Sequence, residues 1–322
     1  MEEIDQNNQN NQNNLNSTND YLNVIIVQSN PSGFKRRTQL SKEFIERMKH
    51  QEKVKLYIVE LCYKDQEFEI TDSHNDQHLQ LRGYTELWHK ENMINLGIKK
   101  LLPENWTNVA WIDADIEFEN SHWVDDTLKI LNGTYDIVQL FSIANDMEYD
   151  KTTIKLVQSA GSRHARGLSY CSLANKYDYS HPGYAWAITK NAYNKINGLI
   201  DVGILGSGDF LMTISLLNEI EYKLNKEFSS GYRQKVLDFQ EKAKCLKFGF
   251  VPGVIHHYFH GTKANRQYAD RWKVLVKYAY DPHIHLTIDD QGLYIPTDQC
   301  PSEFLKEIKT YFDMRKEDEI GS

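Results

Sequence analysis

Apolar and polar positions along the first half of the chain follow two different periods. Asn23–Gln28 (NVIIVQ) and Val54–Leu61 (VKLYIVEL) are short continuous apolar runs, which indicate strands buried on both faces. Between them, turn residues at 29–33 and a helical apolar stripe over Thr38–Lys49 predict a turn and a helix. This βαβ order predicts an α/β fold with a central, mostly parallel sheet flanked by helices.

Further elements follow downstream. Helical spacing of apolar residues predicts helices at Leu87–Leu101, Asp125–Leu131, Lys190–Ile196, Ile214–Asn225, Tyr232–Cys245, Asn265–Ala279 and Ser302–Asp313. Apolar runs predict strands at Asn108–Ile112, Asp136–Ser142, Tyr184–Ile188 and within Phe248–Phe259, and a hairpin at Leu286–Pro296. Residues 145–180 are polar and show no clear period, which favours a functional flap without strong elements.

The chain divides into three predicted parts. Residues 1–20 contain the run QNNQNNQNNLN, which cannot bury enough apolar area to offset chain entropy, so we expect a disordered tail. Residues 21–280 are predicted to form one α/β domain. Residues 281–322 are predicted to form a C-terminal hairpin and helix packed on that domain.

Net charge, cysteine content and the absence of long apolar runs narrow the class of protein and its cellular compartment. The formal net charge is -8, which excludes a general nucleic-acid binder, since phosphate binding needs a surplus of Lys and Arg. The four cysteines lie far apart without a CxxC pair, which favours free thiols in a reducing compartment. Residues 1–20 lack the features of a secretory signal, and no run of roughly 18 apolar residues occurs, so we expect a cytoplasmic protein without a membrane span.

Two aspartates directly follow the predicted strand Asn108–Ile112. In VAWIDADIEF, Asp113 and Asp115 stand at the carboxyl end of a buried strand, where open α/β sheets bind ligands. Two carboxylates there can hold a hard divalent cation, which would neutralise a nucleotide diphosphate. The alternative is a turn with two solvated aspartates.

A third aspartate follows a glycine-rich turn. Gly206 and Gly208 allow close backbone approach before Asp209, which opens a predicted helix over Phe210–Leu217. The Asp209 carboxylate can cap that helix, which local features alone favour, or serve as the general base for an acceptor hydroxyl.

Three histidines, His256, His257 and His260, cluster near the end of the predicted domain. A neutral imidazole can complete a site begun by carboxylates, and Mn²⁺ accepts such a mixed ligand set. A three-histidine zinc site and surface histidines are the alternatives. Three cations that could clamp phosphates, or lie on a helix surface, follow at once: Lys263, Arg266 and Arg271.

With these motifs in this order, the chain resembles glycosyltransferases of the GT-A type, whose fold is Rossmann-like. The stretch PGYAWAITKNAYNKINGLIDVGILGSGDF is similar to a segment of β-1,4-galactosyltransferase-like and polypeptide GalNAc-transferase-like enzymes. The matching positions are Gly183, Ala185, Ala187, Lys190, Tyr193, Ile196, Gly198, Leu199, Gly206, Gly208 and Asp209. The chain departs from the pattern at Leu205, where the family has Trp, and in a single aspartate where the family has an acidic pair.

The resemblance implies a role for each motif residue. Asp115 matches the metal-binding aspartate, and Asp113 matches its partner, which faces the ribose or the metal's water shell. Asp209 matches the catalytic base of the inverting members. His257 matches the downstream metal histidine, with His260 as the alternative.

Nucleotide contacts are implied at the end of the first strand and near the helix before the aspartate pair. Gln28, Ser29 and Asn30 match the region that meets the base and ribose, and Arg36 or Arg37 could contact phosphate. Further candidates for the donor pocket are Arg82, Trp88, His89, Lys90, Asn92 and Gly208. Two aromatic residues could stack on an acceptor sugar or pack in the core: Tyr184 and Trp186.

The resemblance therefore implies a metal-dependent hexosyltransferase (EC 2.4 type) that uses Mn²⁺ or Mg²⁺. The implied donor is a nucleotide sugar, and a UDP-sugar fits best. The implied acceptor is a glycan, a protein or a lipid-linked sugar. The transfer is expected to invert the anomeric carbon, with Asp209 as base. Two alternatives stay open: a metal-dependent nucleotide-sugar hydrolase, and a non-catalytic carbohydrate-binding or structural protein.

Overall fold

The computed structural model describes residues 21–171, 179–262, 264–267 and 270–319, and the predicted disordered tail lies outside them. The strands are β1 (Leu22–Ser29), β2 (Val54–Tyr63), β3 (His78–Gly83), β4 (Asn108–Ile112), β5 (Ile116–Phe118), β6 (Ile137–Gln139), β7 (Ile143–Met147), β8 (Thr153–Gln158), β9 (Ala185–Thr189), β10 (Phe248–Phe250), β11 (Val254–His257), β12 (Leu286–Ile288) and β13 (Tyr294–Pro296). The helices are α1 (Lys35–Lys49), α2 (Lys90–Leu101), α3 (Trp123–Leu131), α4 (Ala160–His164), α5 (Lys190–Ile196), α6 (Gly208–Leu216), α7 (Ile220–Lys223), α8 (Ser230–Ala243), α9 (Asp270–Lys277), α10 (Pro282–His285) and α11 (Ser302–Asp313).

A seven-stranded sheet forms the centre of the fold, in the order β10-β6-β9-β4-β1-β2-β3. Neighbouring strands are parallel except where β9 pairs with β4 and β6. The side chains of β1 alternate between two cores: Ile25 belongs to one with Met93 of α2, and Ile26 to the other with Phe44 of α1. The predicted α/β class with a mostly parallel central sheet is therefore confirmed, since helices cover both faces of the strands.

A second sheet, in the order β5-β11-β7-β8, corrects the prediction for residues 145–180. The sequence predicts a flap without strong elements there, whereas the structure places β8, α4 and most of β7 in that range. Strand β8 lies at the sheet edge with Ile154 and Leu156 exposed, so it lacks the buried apolar face that periodicity detects. Residues 172–178 of the predicted flap lie outside the described residues.

Several other predicted elements are also corrected. The sequence analysis missed β3, which pairs with β2 in the central sheet. The predicted helix over Ile214–Asn225 is divided into α6 and α7, because Asn218 adopts a φ of 57° that ends a right-handed helix. The predicted strand region Phe248–Phe259 holds two strands, β10 and β11, which belong to different sheets.

The C-terminal elements follow the sequence pattern closely. Strands β12 and β13 form an antiparallel hairpin around a turn at 289–292, and α11 has the predicted bounds. The domain boundaries at 21–280 and 281–322 stay a prediction. Within the described part of the chain, every helix is too short or too polar to cross a membrane.

Candidate active site

The aspartate pair lies where β4 ends, near the middle of the central sheet. The Asp113 N–H donates to the carbonyl of Tyr184 at 2.7 Å, and the Asp115 carbonyl accepts from the Tyr258 N–H at 2.8 Å. Tyr184 has a φ of 80°, which is uncommon for a residue other than glycine, and such backbone strain is concentrated at functional sites. These bonds hold both aspartates at the carboxyl edge of the sheet, where ligands bind in open α/β folds.

Asp115, His257 and His260 form a cluster that could hold a metal ion, since one ligand atom from each lies within 4.8 Å of the others. The Oδ2 atom of Asp115 is 2.8 Å from His260 Nε2 and 3.8 Å from His257 Nε2. Its other oxygen, Oδ1, is buried and has no hydrogen-bond partner among the described residues. One carboxylate and two imidazole nitrogens can bind a divalent cation. The carboxylate suits Mn²⁺ and the imidazoles also accept Zn²⁺ or Fe²⁺, so the residues present fit the predicted metal but do not select it.

Each of these histidines is held by another carboxylate on its second ring nitrogen. His257 Nδ1 lies 3.0 Å from Asp146 Oδ1, and His260 Nδ1 lies 3.3 Å from Glu317 Oε2. Carboxylates placed this way orient metal-binding histidines. The Nε2 atoms of both rings face Asp115, and Nε2 of His260 also lies 2.8 Å from Nη2 of Arg266. Burial lowers the pKa of His257, which favours the neutral imidazole that binds metals. Burial alone would raise the pKa of Asp115, but His260 and His257 hold it well below its usual range.

Asp113 belongs to a separate ion-pair group beside this cluster, although the sequence analysis names it as a metal ligand. Lys90 Nζ lies 2.6 Å from Asp113 Oδ1 and 2.9 Å from Asp209 Oδ2, so one ammonium bridges two carboxylates. Burial raises the pKa of Asp113 to about 6, even with this cation beside it. Burial would lower the pKa of Lys90, but the charges of Asp113 and Asp209 raise it well above its ordinary value.

The glycine-rich turn before α6 places Asp209 in this group. Gly206 and Ser207 have φ values of 86° and 79°, which turn the chain sharply into the helix. A Cβ on Gly208 would lie 2.2 Å from the Glu91 carboxylate, so a side chain there would clash. Gly208, a predicted nucleotide contact, therefore packs against α2 and lets the first turn of α6 approach Lys90.

A cavity of about 580 Å³ connects the metal cluster with the Lys90 group. Its volume lies within the range of roughly 300–1,000 Å³ that is usual for small-molecule sites. Four arginines line it: Arg37, Arg266, Arg271 and Arg315. Aromatic residues also line it, namely Phe34, Trp88, Tyr170, Tyr179, Tyr184, Phe210, Trp272 and Phe312. Guanidinium groups bind phosphate oxygens and aromatic faces bind sugar or base rings, so the lining suits a nucleotide diphosphate with a sugar.

The structure brings only some of the predicted nucleotide contacts into this cavity. Gln28 and Ser29, at the end of β1, line it. Gln28 is 4% exposed, and its Oε1 has no hydrogen-bond partner among the described residues. Four others donate instead to backbone carbonyls at 2.8–3.2 Å: Asn30 to Phe34, Arg36 to Phe259, Arg82 to Lys64 and Asn92 to Gly292. These four side chains stabilise loops and a hairpin outside the lining.

The structure decides between two other pairs of alternatives: core or cavity positions for Tyr184 and Trp186, and a mixed or an all-histidine metal site. Trp186 is fully buried among core aromatic rings, whereas Tyr184 lines the cavity. The His256 ring lies 3.2 Å from the Asn145 amide and is not part of the cluster, so the described residues do not assemble a three-histidine zinc site. Lys263 lies outside the described residues.

Three charged residues of the site were not predicted from the sequence: Asp146, Arg315 and Glu317. Asp146 stands in the segment predicted to be a flap, and Arg315 and Glu317 follow the last helix. The rule that metal-binding histidines bond a carboxylate predicts such partners but not their positions, since Asp146 is 111 residues from His257.

No family model matches the chain, and no curated protein matches it. Among solved structures, it is similar to a mutant of Drosophila β1,4-galactosyltransferase 7 in complex with manganese, UDP-Gal and xylobiose. The identity is 10%, the TM-score is 0.42, and the match covers 89% of this chain and 98% of that one. It is also similar to the solved chain of S. aureus TarS residues 1–349, at 10% identity and a TM-score of 0.38, over 74% of this chain and 60% of that one. Similarity this low shows the fold alone, so the chemistry of the site has to be inferred from its geometry.

Proposed function

We propose that the chain is a metal-dependent glycosyltransferase of the GT-A type, which moves a sugar from a nucleotide-sugar donor to an acceptor hydroxyl. The observation that carries the proposal is the cluster of Asp115, His257 and His260, which shares one cavity with Asp209. A divalent cation bound by this cluster, Mn²⁺ or Mg²⁺, would supply the positive charge that makes a nucleoside diphosphate a good leaving group.

The donor is held from two sides in this proposal. Arg266 and Arg271 line the cavity beside the cluster and would bind the diphosphate oxygens. At the β1 end, the buried Oε1 of Gln28 can accept a hydrogen bond from a ring N–H of a nucleobase. Uracil, thymine and guanine offer such an N–H, whereas adenine and cytosine do not. Among the nucleotide sugars that fit, a UDP-sugar is the donor we propose.

Asp209 acts as the general base, and the transfer inverts the anomeric carbon. Lys90 holds Oδ2 of Asp209, which directs the carboxylate into the cavity. Asp209 takes the proton of the acceptor hydroxyl while that oxygen bonds to the anomeric carbon and the bond to the diphosphate breaks on the opposite face. Phe210 and Tyr170, whose ring centroids are 5.5 Å apart, offer apolar faces for the acceptor sugar.

A donor screen tests the proposal. Purified protein is incubated with a panel of nucleotide sugars and Mn²⁺, with and without glycan acceptors, and the released nucleoside diphosphate is measured. Asp209→Asn should lower transfer by about 10²–10⁴-fold while donor binding persists. The exposed control Asp298→Asn should match the wild type. No nucleotide release from any donor would refute an enzyme of this class, and free sugar released whatever the acceptor would indicate a hydrolase.

A further inference from the structure

The segment after the last helix crosses the candidate metal site and places a buried carboxylate there. Glu317 is 1% exposed. Its Oε1 lies 2.7 Å from Arg315 Nε, and its Oε2 lies 3.0 Å from Arg37 Nε. The third contact of this carboxylate is His260, whose Nδ1 lies 3.3 Å from Oε2. One carboxylate thus joins helix α1, the C-terminal segment and a proposed metal ligand.

Backbone contacts fix this segment beside His260. Asp318 accepts hydrogen bonds from the N–H groups of Lys35 and Arg36, at 3.0 Å and 2.7 Å, at the start of α1. Gly261 has a φ of 86°, and a Cβ there would lie 3.0 Å from the Arg315 carbonyl. The chain therefore passes directly over the residue that follows His260, and both this close approach and the positive φ favour glycine there.

The two rings of the cluster are oriented in the same way from different parts of the fold. Asp146, on β7 of the second sheet, holds Nδ1 of His257, and Glu317 holds Nδ1 of His260. In both cases Nε2 faces Asp115, and Nε2 of His260 also lies 2.8 Å from Nη2 of Arg266. Without Glu317, the His260 ring would lose its carboxylate contact on Nδ1, the nitrogen whose partner fixes the tautomer of a metal-binding histidine.

We propose that Glu317 is a positioning residue that orients His260 for binding of a divalent cation. This inference rests on the proposed function, since it takes the Asp115 cluster as the metal site. It makes the C-terminal segment a part of that site, because the affinity for the ion depends on a carboxylate beyond the last helix.

The test is the affinity of metal-free protein for Mn²⁺, measured by calorimetry and by electron paramagnetic resonance of free Mn²⁺. Glu317→Gln should weaken binding about 10- to 100-fold, the usual effect of losing such a partner. The control Glu319→Gln removes an exposed carboxylate that pairs with Lys316, and it should leave the affinity unchanged. Absorption spectra of the Co²⁺-loaded proteins should differ from wild type for Glu317→Gln alone.

A second variant distinguishes an effect on the orientation of His260 from an effect on the stability of the folded protein. Glu317→Asp keeps a charge for Arg37 and Arg315 but withdraws the oxygens from His260, so it should also weaken Mn²⁺ binding. Affinities are compared well below each variant's melting temperature, where every sample is folded. Wild-type affinity and an unchanged Co²⁺ spectrum in the folded Glu317 variants would overturn the inference. Absence of Mn²⁺ binding by the wild type would instead refute the proposed function.

Discussion

The ammonium of Lys90 lies 2.9 Å from the Asp209 carboxylate and, at the same time, 2.6 Å from that of Asp113. A single cation on α2 therefore joins the aspartate after β4 to the aspartate that opens α6. The proposed base and the proposed nucleotide contact share this cation, so their positions are coupled.

Lys90→Met should leave these two carboxylates together without a cation. We expect the free energy of unfolding to fall by about 2–3 kcal/mol, because an uncompensated charge in a partly buried site is costly. Urea unfolding followed by circular dichroism measures this. Lys99→Met, an exposed change on the same helix, serves as the control. Equal stability of the two variants would argue against the bridging ion pair.

Glu91 gives a prediction for the pH dependence of stability. Burial, with the charge of Asp209 second, raises its pKa from 4.5 to about 8. Between these values the unfolded chain has lost the proton while the folded chain keeps it, so stability falls as the pH rises. Glu91→Gln removes this contribution. The melting temperature of the metal-free variant should fall less than that of the wild type between pH 5 and pH 8, two values chosen to bracket roughly this window; parallel curves would contradict the assignment.

Two arginines compare a residue of the cavity lining with one outside it. Arg271 lines the cavity and donates to Ser207 Oγ at 2.7 Å, whereas Arg82 donates to the Lys64 carbonyl outside the lining. Arg271→Gln should weaken UDP binding about tenfold, as expected for the loss of one charge-assisted hydrogen bond. Arg82→Gln should leave it unchanged. Calorimetric titration with UDP and Mn²⁺ compares them, and equal losses would mean that the cavity does not hold the diphosphate.

The sequence predicts the fold where apolar runs are continuous. Asn108–Ile112 and Ser302–Asp313 have their predicted bounds, because both elements bury a clear apolar set. The exposed edge strand Thr153–Gln158 was missed, since four of its residues are exposed and its register depends on pairing with β7.

The candidate site could be predicted only in part. Asp115 and His257 stand at ends of apolar runs, and sheet topology then brings them together. Arg82 and Asn92 have side chains that suit phosphate or ribose, but in the folded chain both donate hydrogen bonds to backbone carbonyls. Glu317 could not be found from local pattern, because its partners Arg37 and His260 are distant in sequence and meet only in the folded chain.

Mn²⁺ titration of metal-free wild-type protein and of Asp115→Asn shows whether Asp115 binds the metal ion on which the proposed transfer depends. Asp298→Asn, an exposed aspartate, is the matched control. We expect a single Mn²⁺ per chain in wild type and control, with binding at least about 100-fold weaker in Asp115→Asn. We also expect Mn²⁺ to increase UDP affinity only where Asp115 is intact. Equal Mn²⁺ affinity in Asp115→Asn and wild type, or no Mn²⁺ bound by the wild type, would contradict the proposed metal site.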